Sequence, residues 1–454
     1  MKKARKLLVT IALILGLSLL LTTPLIATGQ KEATTKVEVS IVYGTPWKEL
    51  VEPAIAKYEK ETGAKVKQVL LPPGTNVDTK VALDLAGGVA ADIVAVDGYR
   101  IPEFAEAGYL LSLDSYLKNW PDWMYYYDSM KKMVEFDGKH YGVPLDTDVR
   151  MLWYWKPIFK KAGIAIPWEP KNWDDVLNAA RKIKASVAGV DYPIYLPVGS
   201  KMGEATTMQG FYMILLGADS PSNDQNRLRD WKAGKWIGKS PAILRTLQVY
   251  QTVFVKDKLS MRDIYYTPDV WGDWRRAMIN GKIGIGLGGS WEFKEFWTGA
   301  GVDLPPVEKR KELVGWAPMP GSGLPGAPAI VSISGGWTFA INAKAKNKEA
   351  AFELLKVIFT KENFGSWVSG AAKVSTREDV SNMASYKKDS YIAEITPLVK
   401  ATTTRDTYPG YSKVSSFVQA ATEDILDGKS PAEAMNSYYN NLVSEFGKDK
   451  VTTR

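Results

Sequence analysis

Cysteine is absent from this chain of 454 residues, and histidine occurs once, at His140. The missing cysteine excludes disulfides, thiol catalysis and zinc sites built from cysteine and histidine. A Ser-His-Asp triad would depend on the single histidine. We therefore expect neither a metal nor a cofactor, and we expect the fold to be stabilised by a buried apolar core, which a chain of this length can form.

Positive charge is concentrated at the N-terminus. Four basic residues precede an apolar run over 7–21, and small residues at 27–29 suit cleavage. This order predicts a cleavable signal peptide over residues 1–29. An uncleaved membrane anchor is the alternative, but the run is shorter than the ~20 apolar residues that a span requires. Because no cysteine follows to carry a lipid anchor, we expect an exported protein in the periplasm or another extracytoplasmic space.

The net charge of the chain after the leader is small. Of the formal net charge of +8, four units belong to the leader, which leaves +4 for residues 30–454. No block rich in lysine and arginine follows, so nucleic-acid binding is not expected. Aromatic residues are abundant instead, with 16 tryptophans and 22 tyrosines. Most must lie in the core, but the excess is compatible with surfaces that stack on carbohydrate.

Strands alternate with helices in the first third of the chain after the leader. This order predicts an α/β fold with a parallel, doubly wound sheet, in which ligands bind beyond the carboxyl ends of the strands. Trp47 follows the first strand, and Asp97 and Tyr99 follow the third, so all three become candidates. The predicted strands cover 36–43, 65–71 and 92–96, and the predicted helices cover 47–62, 80–86 and 101–107.

Turn and cap signals continue along the chain. Asp137 and Gly138 predict a hairpin turn, and Asn172 predicts the N-cap of a helix over 172–183. A strand over 283–287 runs into two glycines, a serine and Trp291. At about 425 residues after the leader, the chain is long enough for two domains.

Several sequence segments resemble segments of the extracellular solute-binding proteins of carbohydrate ABC importers, the family to which maltose-binding protein belongs. The set covers nearly the whole chain after the leader, in the family's order. Its members include Asp-Gly-Lys-His-Tyr-Gly-Val-Pro at 137–144, Leu-Trp-Tyr-Trp-Lys at 152–156, Asn-Trp-Asp-Asp-Val-Leu at 172–177, Gly-Ser-Trp at 289–291, Gly-Gly-Trp-Thr-Phe-Ala-Ile at 335–341 and Gly-Lys-Ser-Pro-Ala-Glu-Ala at 428–434.

The resemblance implies a two-lobed periplasmic-binding-protein fold (type II-like). Each lobe would be a doubly wound sheet flanked by helices, with the ligand cleft at the hinge. It places lobe 1 at 36–145 and 320–366, and lobe 2 at 146–319 and 367–454. It further implies a monomeric, non-enzymatic protein that binds a sugar, oligosaccharide or polyol and delivers it to an ABC importer permease.

The same resemblance selects site residues. Trp291 and Trp337 resemble tryptophans on which the family stacks sugars, although core packing is the alternative for both. Asp146 and Asp148 would share one face if that stretch is an extended strand, and their carboxylates could accept bonds from sugar hydroxyls. A surface turn, or an ion pair with Arg150, is the alternative for these two aspartates, and one of them is expected to touch ligand.

Three further candidates lie in a loop before a C-terminal helix, where related proteins place cleft residues: Arg405, Tyr408 and Tyr411. For Tyr408, which precedes a proline, turn formation is the alternative. For Trp47, the alternative is packing at the start of a helix.

A secreted glycoside hydrolase is the alternative function, because it needs two carboxylates flanking a sugar. Asp146 with Asp148, or Glu292 with Glu295, would have to supply them. No hydrolase pattern accompanies either pair, so a binding protein is the favoured interpretation. A phosphorylated ligand is disfavoured because no cluster of basic residues accompanies the candidates.

Overall fold

The computed structural model describes residues 38–72, 75–220, 226–371 and 373–454. The signal peptide predicted for residues 1–29 lies outside this part of the chain. Among the described residues, no helix combines the length and the apolar character needed to cross a membrane.

Fourteen strands are found in the described part of the chain. They are β1 (Glu38–Gly44), β2 (Lys65–Leu71), β3 (Ile93–Asp97), β4 (Glu135–Phe136), β5 (Lys139–His140), β6 (Val143–Pro144), β7 (Arg150–Trp155), β8 (Ile194–Tyr195), β9 (Arg229–Asp230), β10 (Lys235–Lys239), β11 (Ile285–Gly289), β12 (Val314–Ala317), β13 (Trp337–Ile341) and β14 (Val451–Thr453).

Helices surround the strands. The α-helices are α1 (Lys48–Thr62), α2 (Val77–Gly87), α3 (Ile101–Glu106), α4 (Asp114–Leu117), α5 (Asp128–Met133), α6 (Lys156–Lys161), α7 (Trp173–Ser186), α8 (Tyr212–Leu215), α9 (Pro241–Gln251), α10 (Val270–Ile279), α11 (Glu292–Thr298), α12 (Val307–Leu313), α13 (Lys348–Ile358), α14 (Lys361–Gly370), α15 (Glu378–Ser381), α16 (Ala384–Lys387), α17 (Ser390–Ile395), α18 (Tyr411–Leu426) and α19 (Pro431–Phe446). Short 3₁₀ turns cover Thr45–Trp47, Gly98–Arg100, Pro121–Tyr125, Asp263–Tyr266, Thr396–Ala401 and Lys448–Lys450, and π-helical turns cover Thr206–Phe211 and Thr252–Lys256.

The first lobe is built on a five-stranded sheet in the order β2-β1-β3-β13-β6. The three opening strands pair in parallel, as their alternation with helices predicts. The returning strand β13 pairs antiparallel with β3, and Trp337 lies opposite Asp97 in the register. This pairing brings residues separated by 240 positions to one end of the sheet.

The second lobe is built on a four-stranded sheet in the order β12-β7-β11-β8. Its strand β7 is buried along its whole length and pairs antiparallel with β11 and β12. A smaller sheet, β14-β10-β9, packs beside helix α19. The sheets of this α/β fold are therefore mixed. The opening strands β1, β2 and β3 pair in parallel, whereas β7 and β13, each entered from the other lobe, pair antiparallel with their neighbours.

The chain passes between the two main sheets at two places. It leaves β6 of the first sheet and enters β7 of the second across 145–149, and it returns from β12 to β13 across 318–336. The two crossings touch each other, because Thr147 Oγ1 lies 2.7 Å from Ser334 Oγ. The molecule therefore has two lobes joined by adjacent connecting segments, as expected for a two-lobed binding-protein fold.

Local sequence signals are confirmed where the structure describes them. The helix predicted over 47–62 ends at Gly63, which adopts the left-handed conformation with φ of 71°, and the Asn172 side chain accepts the Asp175 N–H as a helix cap. The predicted hairpin at 137–138 joins β4 and β5. These three elements were predictable because each depends on residues within a few positions of one another.

Candidate functional site

A cavity of about 480 Å³ lies between the two lobes. The first lobe contributes the ends of β1, β3 and β13, and the second contributes the ends of β7 and β11 together with the π-helical turn 206–211. The cavity therefore occupies the place that strand ends predict for a ligand. Seven of the residues selected from the sequence line it: Trp47, Asp97, Asp146, Asp148, Trp291, Trp337 and Arg405.

Two tryptophans from the first lobe contact each other in one wall of the cavity. Trp47 closes the 3₁₀ turn after β1 and Trp337 begins β13, and their ring centroids are 4.9 Å apart at an angle of 56°. Trp47 is 4% exposed, and its indole Nε1 has no hydrogen-bond partner among the described residues. Trp337 is half-buried. Packing and cavity lining are therefore combined in Trp47, whereas Trp337 has more surface available to a ligand.

The close approach behind Trp337 depends on Gly336. This glycine has φ of 150°, and a Cβ atom there would collide with the carbonyl oxygen of Asp146. The Gly98 N–H donates to the Gly336 carbonyl at 2.9 Å, which ties the turn after β3 to the start of β13. Glycine at this position lets the connecting segments and the tryptophan wall meet.

Trp291 lines the cavity from the second lobe. It follows β11, and its Nε1–H donates to Glu292 Oε1 at 2.8 Å. The fully buried Glu292 carboxylate also accepts two bonds from Arg275, at 2.8 and 2.9 Å. The Arg150 guanidinium lies 5.1 Å from the Trp291 ring centroid. Trp291 is thus held by an ion pair behind it and by a cation beside it.

Asp146 and Asp148 are both engaged by the protein. Asp146 Oδ1 accepts the Trp337 backbone N–H at 2.9 Å, and Lys373 Nζ lies 3.5 Å from Oδ2. Asp148 forms an ion pair with Arg150, the alternative raised from the sequence, and accepts the Gly335 N–H at 3.2 Å. Burial raises the pKa of Asp148, although the charge of Arg150 opposes this shift.

Arg405 connects the two lobes in the cavity wall. Its Nη2 lies 2.9 Å from Asp97 Oδ1 of the first lobe, and its Nη1 lies 3.0 Å from Glu204 Oε1 of the second. Tyr411 donates to the same Glu204 oxygen at 2.7 Å. Burial raises the pKa of Asp97 to about 6, against the opposing charge of Arg405.

Tyr99, Tyr408 and Tyr411 lie outside the lining of this cavity. Tyr99 donates to Asp78 at 2.9 Å and packs edge-on against Tyr411 at 5.8 Å. The Arg405 guanidinium lies 4.8 Å from the Tyr99 centroid, so these two tyrosines support Arg405. Tyr408 turns away from the cavity and stacks on Arg229, whose guanidinium is 3.5 Å from its ring centroid.

The sequence did not single out several residues of the lining, among them Met202, Glu204, Met208, Gln209, Trp271 and Lys373. Gln209 is 5% exposed and belongs to the π-helical turn, a local geometry common at functional sites. Its Oε1 has no partner among the described residues, and neither does the buried Arg150 Nε. One acceptor and one donor near the cavity are therefore unused by the protein.

Neither carboxylate pair considered for a hydrolase is arranged for catalysis. Glu292 is bound on both oxygens by Arg275, and Asp148 is bound by Arg150. A glycosidase needs one carboxylic acid and one free carboxylate facing the sugar. The cavity instead presents aromatic faces together with hydrogen-bond donors and acceptors, which is typical of a ligand-binding site.

Known proteins that are similar to this chain are also binding proteins. The family of bacterial extracellular solute-binding proteins matches residues 40–363. A maltodextrin-binding protein of Bacillus subtilis is 22% identical over 94% of this chain and 93% of its own length. A diacetylchitobiose-binding protein of Streptomyces coelicolor is 23% identical over 86% and 84%. A crystal structure of an ABC-transporter solute-binding protein from Thermotoga lettingae, bound with α-D-tagatose, gives a TM-score of 0.73 at 26% identity, covering 90% of this chain and 99% of that one.

Proposed function

The chain belongs to the family of bacterial extracellular solute-binding proteins, and on that basis we propose that its interlobe cavity binds a sugar, oligosaccharide or polyol. It acts as a transport protein and not as an enzyme. Its part in transport is to capture the solute outside the cytoplasmic membrane and deliver it to the permease of an ABC importer.

The observation that carries this proposal is the pairing of indole faces with polar side chains in one cavity. The C–H groups of a sugar ring form an apolar face that packs on an aromatic ring, while its hydroxyls remain free for polar partners. Trp291 and Trp337 offer such faces from opposite lobes, with Asp146 and Lys373 nearby. The maltodextrin, diacetylchitobiose and tagatose named for the similar proteins are all carbohydrates.

The polar groups favour a neutral ligand over a phosphorylated one. A hydroxyl both donates and accepts, so it can bond to the carboxylates and to the cations of this lining alike. A phosphate offers acceptors and negative charge. The cavity lining has more acidic than basic side chains, which would repel a phosphate. The acidic ones are Asp97, Asp146, Asp148 and Glu204, and the basic ones are Arg150, Arg405 and Lys373.

Lobe closure supplies the mechanism. We assign residues 36–145 and 320–366 to lobe 1, and residues 146–319 and 367–454 to lobe 2. A ligand that touches tryptophans of both lobes stabilises the closed arrangement by its higher affinity for it. The closed, loaded protein then docks as a monomer on the permease. Export by the leader over residues 1–29 places it on the correct side of the membrane.

A ligand screen tests the proposal. The mature protein is heated with a panel of sugars, oligosaccharides, polyols and glycerol phosphates, because a tight ligand raises the melting temperature by mass action. A sugar or polyol is expected to raise it and to change tryptophan fluorescence saturably, without release of reducing ends. Stabilisation by a phosphorylated compound alone, or hydrolysis of a glycoside, would overturn the proposal.

A further inference from the structure

The two lobes also meet outside the cavity, where the turn after β3 faces the start of α18. Arg100 and Glu103 belong to the first lobe, at the beginning of α3. Ser412 belongs to the first turn of α18, a helix that packs against α9 and α19 of the second lobe. None of the three lines the interlobe cavity, or the cavity of about 710 Å³ that adjoins it at Trp291 and Trp337. They therefore form an interlobe contact that a ligand in the cleft does not touch.

Ser412 uses its hydroxyl in both directions. Arg100 Nη1–H donates to Ser412 Oγ at 2.9 Å, and the Ser412 O–H donates to Glu103 Oε2 at 2.7 Å. Arg100 Nη1 also lies 3.2 Å from both carboxylate oxygens of Glu103. One hydroxyl of the second lobe thus enters a charged fork of the first lobe, and we refer to Arg100, Glu103 and Ser412 as the latch.

The first lobe holds its own half of the latch in place. The Asp78 carboxylate accepts from Arg100 Nη2 at 3.0 Å and from Arg100 Nε at 3.2 Å. The Tyr99 hydroxyl donates to the same carboxylate at 2.9 Å. A guanidinium fixed in this way loses little conformational freedom when a partner arrives, so the bonds to the hydroxyl are retained as net stabilisation.

The Glu103 carboxylate also meets favourable charge in the second lobe. Gly410, the N-cap of α18, offers no side chain, and the first turn of that helix contains no acidic residue. The N-terminus of a helix carries partial positive charge, which stabilises a nearby anion. Hydrogen bonds with charged groups are in addition stronger than neutral ones. Because each of these interactions crosses from one lobe to the other, their benefit exists only while the lobes are together.

We propose that the latch raises the affinity for every ligand that closes the lobes, without contacting any of them. As a statement about affinity, this inference rests on the proposed function. Arg405 also crosses the cleft, but it lines the cavity, so ligand contact and closure are combined there. In the latch the two are separate. Its loss changes only the equilibrium between open and closed forms, and therefore weakens all ligands by one common factor.

Ser412→Asp tests the latch, because it sets a second carboxylate against Glu103. Aspartate suits the first turn of a helix, so the variant is expected to fold. Calorimetry with maltose, cellobiose, mannobiose, tagatose and ribitol should show affinity lowered at least about tenfold, by the same factor for each compound that binds. Ser412→Ala deletes both bonds without adding charge and should lower affinity about three- to tenfold.

Removing the charge of Glu103 should reverse the effect of Ser412→Asp. When Ser412→Asp is combined with Glu103→Gln, Arg100 can pair with the new carboxylate, and affinity is expected to return to within about threefold of the wild type. Ser416→Asp is the matched control. Ser416 lies one turn further along α18, is exposed, and donates to the Lys413 carbonyl of its own helix. This variant should bind as the wild type does.

The outcomes separate this inference from the proposed function. Unchanged affinity in Ser412→Asp, a loss that differs between ligands, or a loss that Glu103→Gln does not reverse would overturn the latch while sugar binding stands. If no sugar or polyol binds, the proposed function fails, and small-angle scattering of the free protein decides about the latch. A larger radius of gyration in Ser412→Asp than in Ser416→Asp would then support it, and equal radii would overturn it.

Discussion

Arg405 and Asp97 form an ion pair across the interlobe cleft, with 2.9 Å between Nη2 and Oδ1. Arg405 precedes the first helix of the C-terminal pair that packs on the second lobe, whereas Asp97 ends a strand of the first lobe. The same guanidinium also binds Glu204, which belongs to the second lobe, as Arg405 does. One cation therefore separates two carboxylates that would otherwise repel each other when the lobes meet.

Replacing Arg405 is expected to disfavour this arrangement of the lobes. In Arg405→Gln, Asp97 and Glu204 lose their shared cation, and each charge-assisted hydrogen bond is worth about 1.5–3 kcal/mol. Ligand affinity should fall roughly ten- to a hundredfold. Calorimetry measures the affinity, and small-angle scattering should give a larger radius of gyration without ligand.

Arg276→Gln is the matched control for that experiment. Arg276 lies on α10 of the second lobe, is 40% exposed and does not line the interlobe cavity. Its substitution should change neither affinity nor size. Unchanged affinity in Arg405→Gln would mean that the ion pair does not contribute to closure.

Asp97 is expected to make stability depend on pH. Burial raises its pKa to about 6, from 3.8 when unperturbed, with Asp78 and Glu204 adding to the shift and Arg405 opposing it. The folded chain therefore holds this proton more tightly than the unfolded chain. Its contribution to stability is complete below pH 4 and is lost as the pH rises through 6, by at most about 3 kcal/mol.

Urea unfolding of the wild type and of Asp97→Asn at pH 4, 5, 6 and 7 measures this contribution. Asparagine cannot ionise, so the variant should gain stability relative to the wild type as the pH rises. Parallel profiles for the two proteins would show that the carboxyl group titrates at its ordinary pKa.

The fold was largely predictable because its signals are local. The helix end at Gly63, the cap at Asn172 and the strand before Trp291 each depend on neighbouring residues. Strand ends then gave Trp47 and Asp97 as candidates, since the geometry of an α/β sheet places such residues together. The family resemblance added the second lobe and the cleft.

The rest depended on contacts between distant parts of the chain. Glu204 enters the wall through Arg405, 201 positions away, and Gln209 through a π-helical turn that no sequence period reveals. The family resemblance placed Tyr408 near the cleft, but its ring stacks on Arg229 outside the cavity lining. A loop's direction is set by such tertiary contacts and not by its own residues.

Trp291 should contribute to affinity more than to stability. It is half-buried and lines the interlobe cavity, so Trp291→Ala removes a stacking surface while leaving the core intact. We expect affinity for the bound sugar to fall at least tenfold and the melting temperature to change little. Trp231→Ala, which removes a 54% exposed tryptophan that does not line the cavity, should bind sugar normally. Equal affinities in the two variants would exclude Trp291 from the site.

Glu292 should matter for folding because its charge is buried and shared. Its carboxylate accepts two bonds from Arg275 and one from Trp291. Glu292→Ala leaves a buried guanidinium without its main partner, and removal of one member of a buried pair typically costs about 3–5 kcal/mol. Glu295 lies on the same helix at 36% exposure and 3.5 Å from Arg275, so Glu295→Ala should cost less than about 1 kcal/mol.

Urea unfolding, monitored by near-ultraviolet circular dichroism, compares the stability of the two glutamate variants at pH 7. The large loss is expected for Glu292→Ala alone, together with weaker sugar binding in the fraction that folds, because Trp291 loses the acceptor that orients its indole. A small, equal loss in both variants would mean that water replaces the buried carboxylate and that Trp291 keeps its position without it.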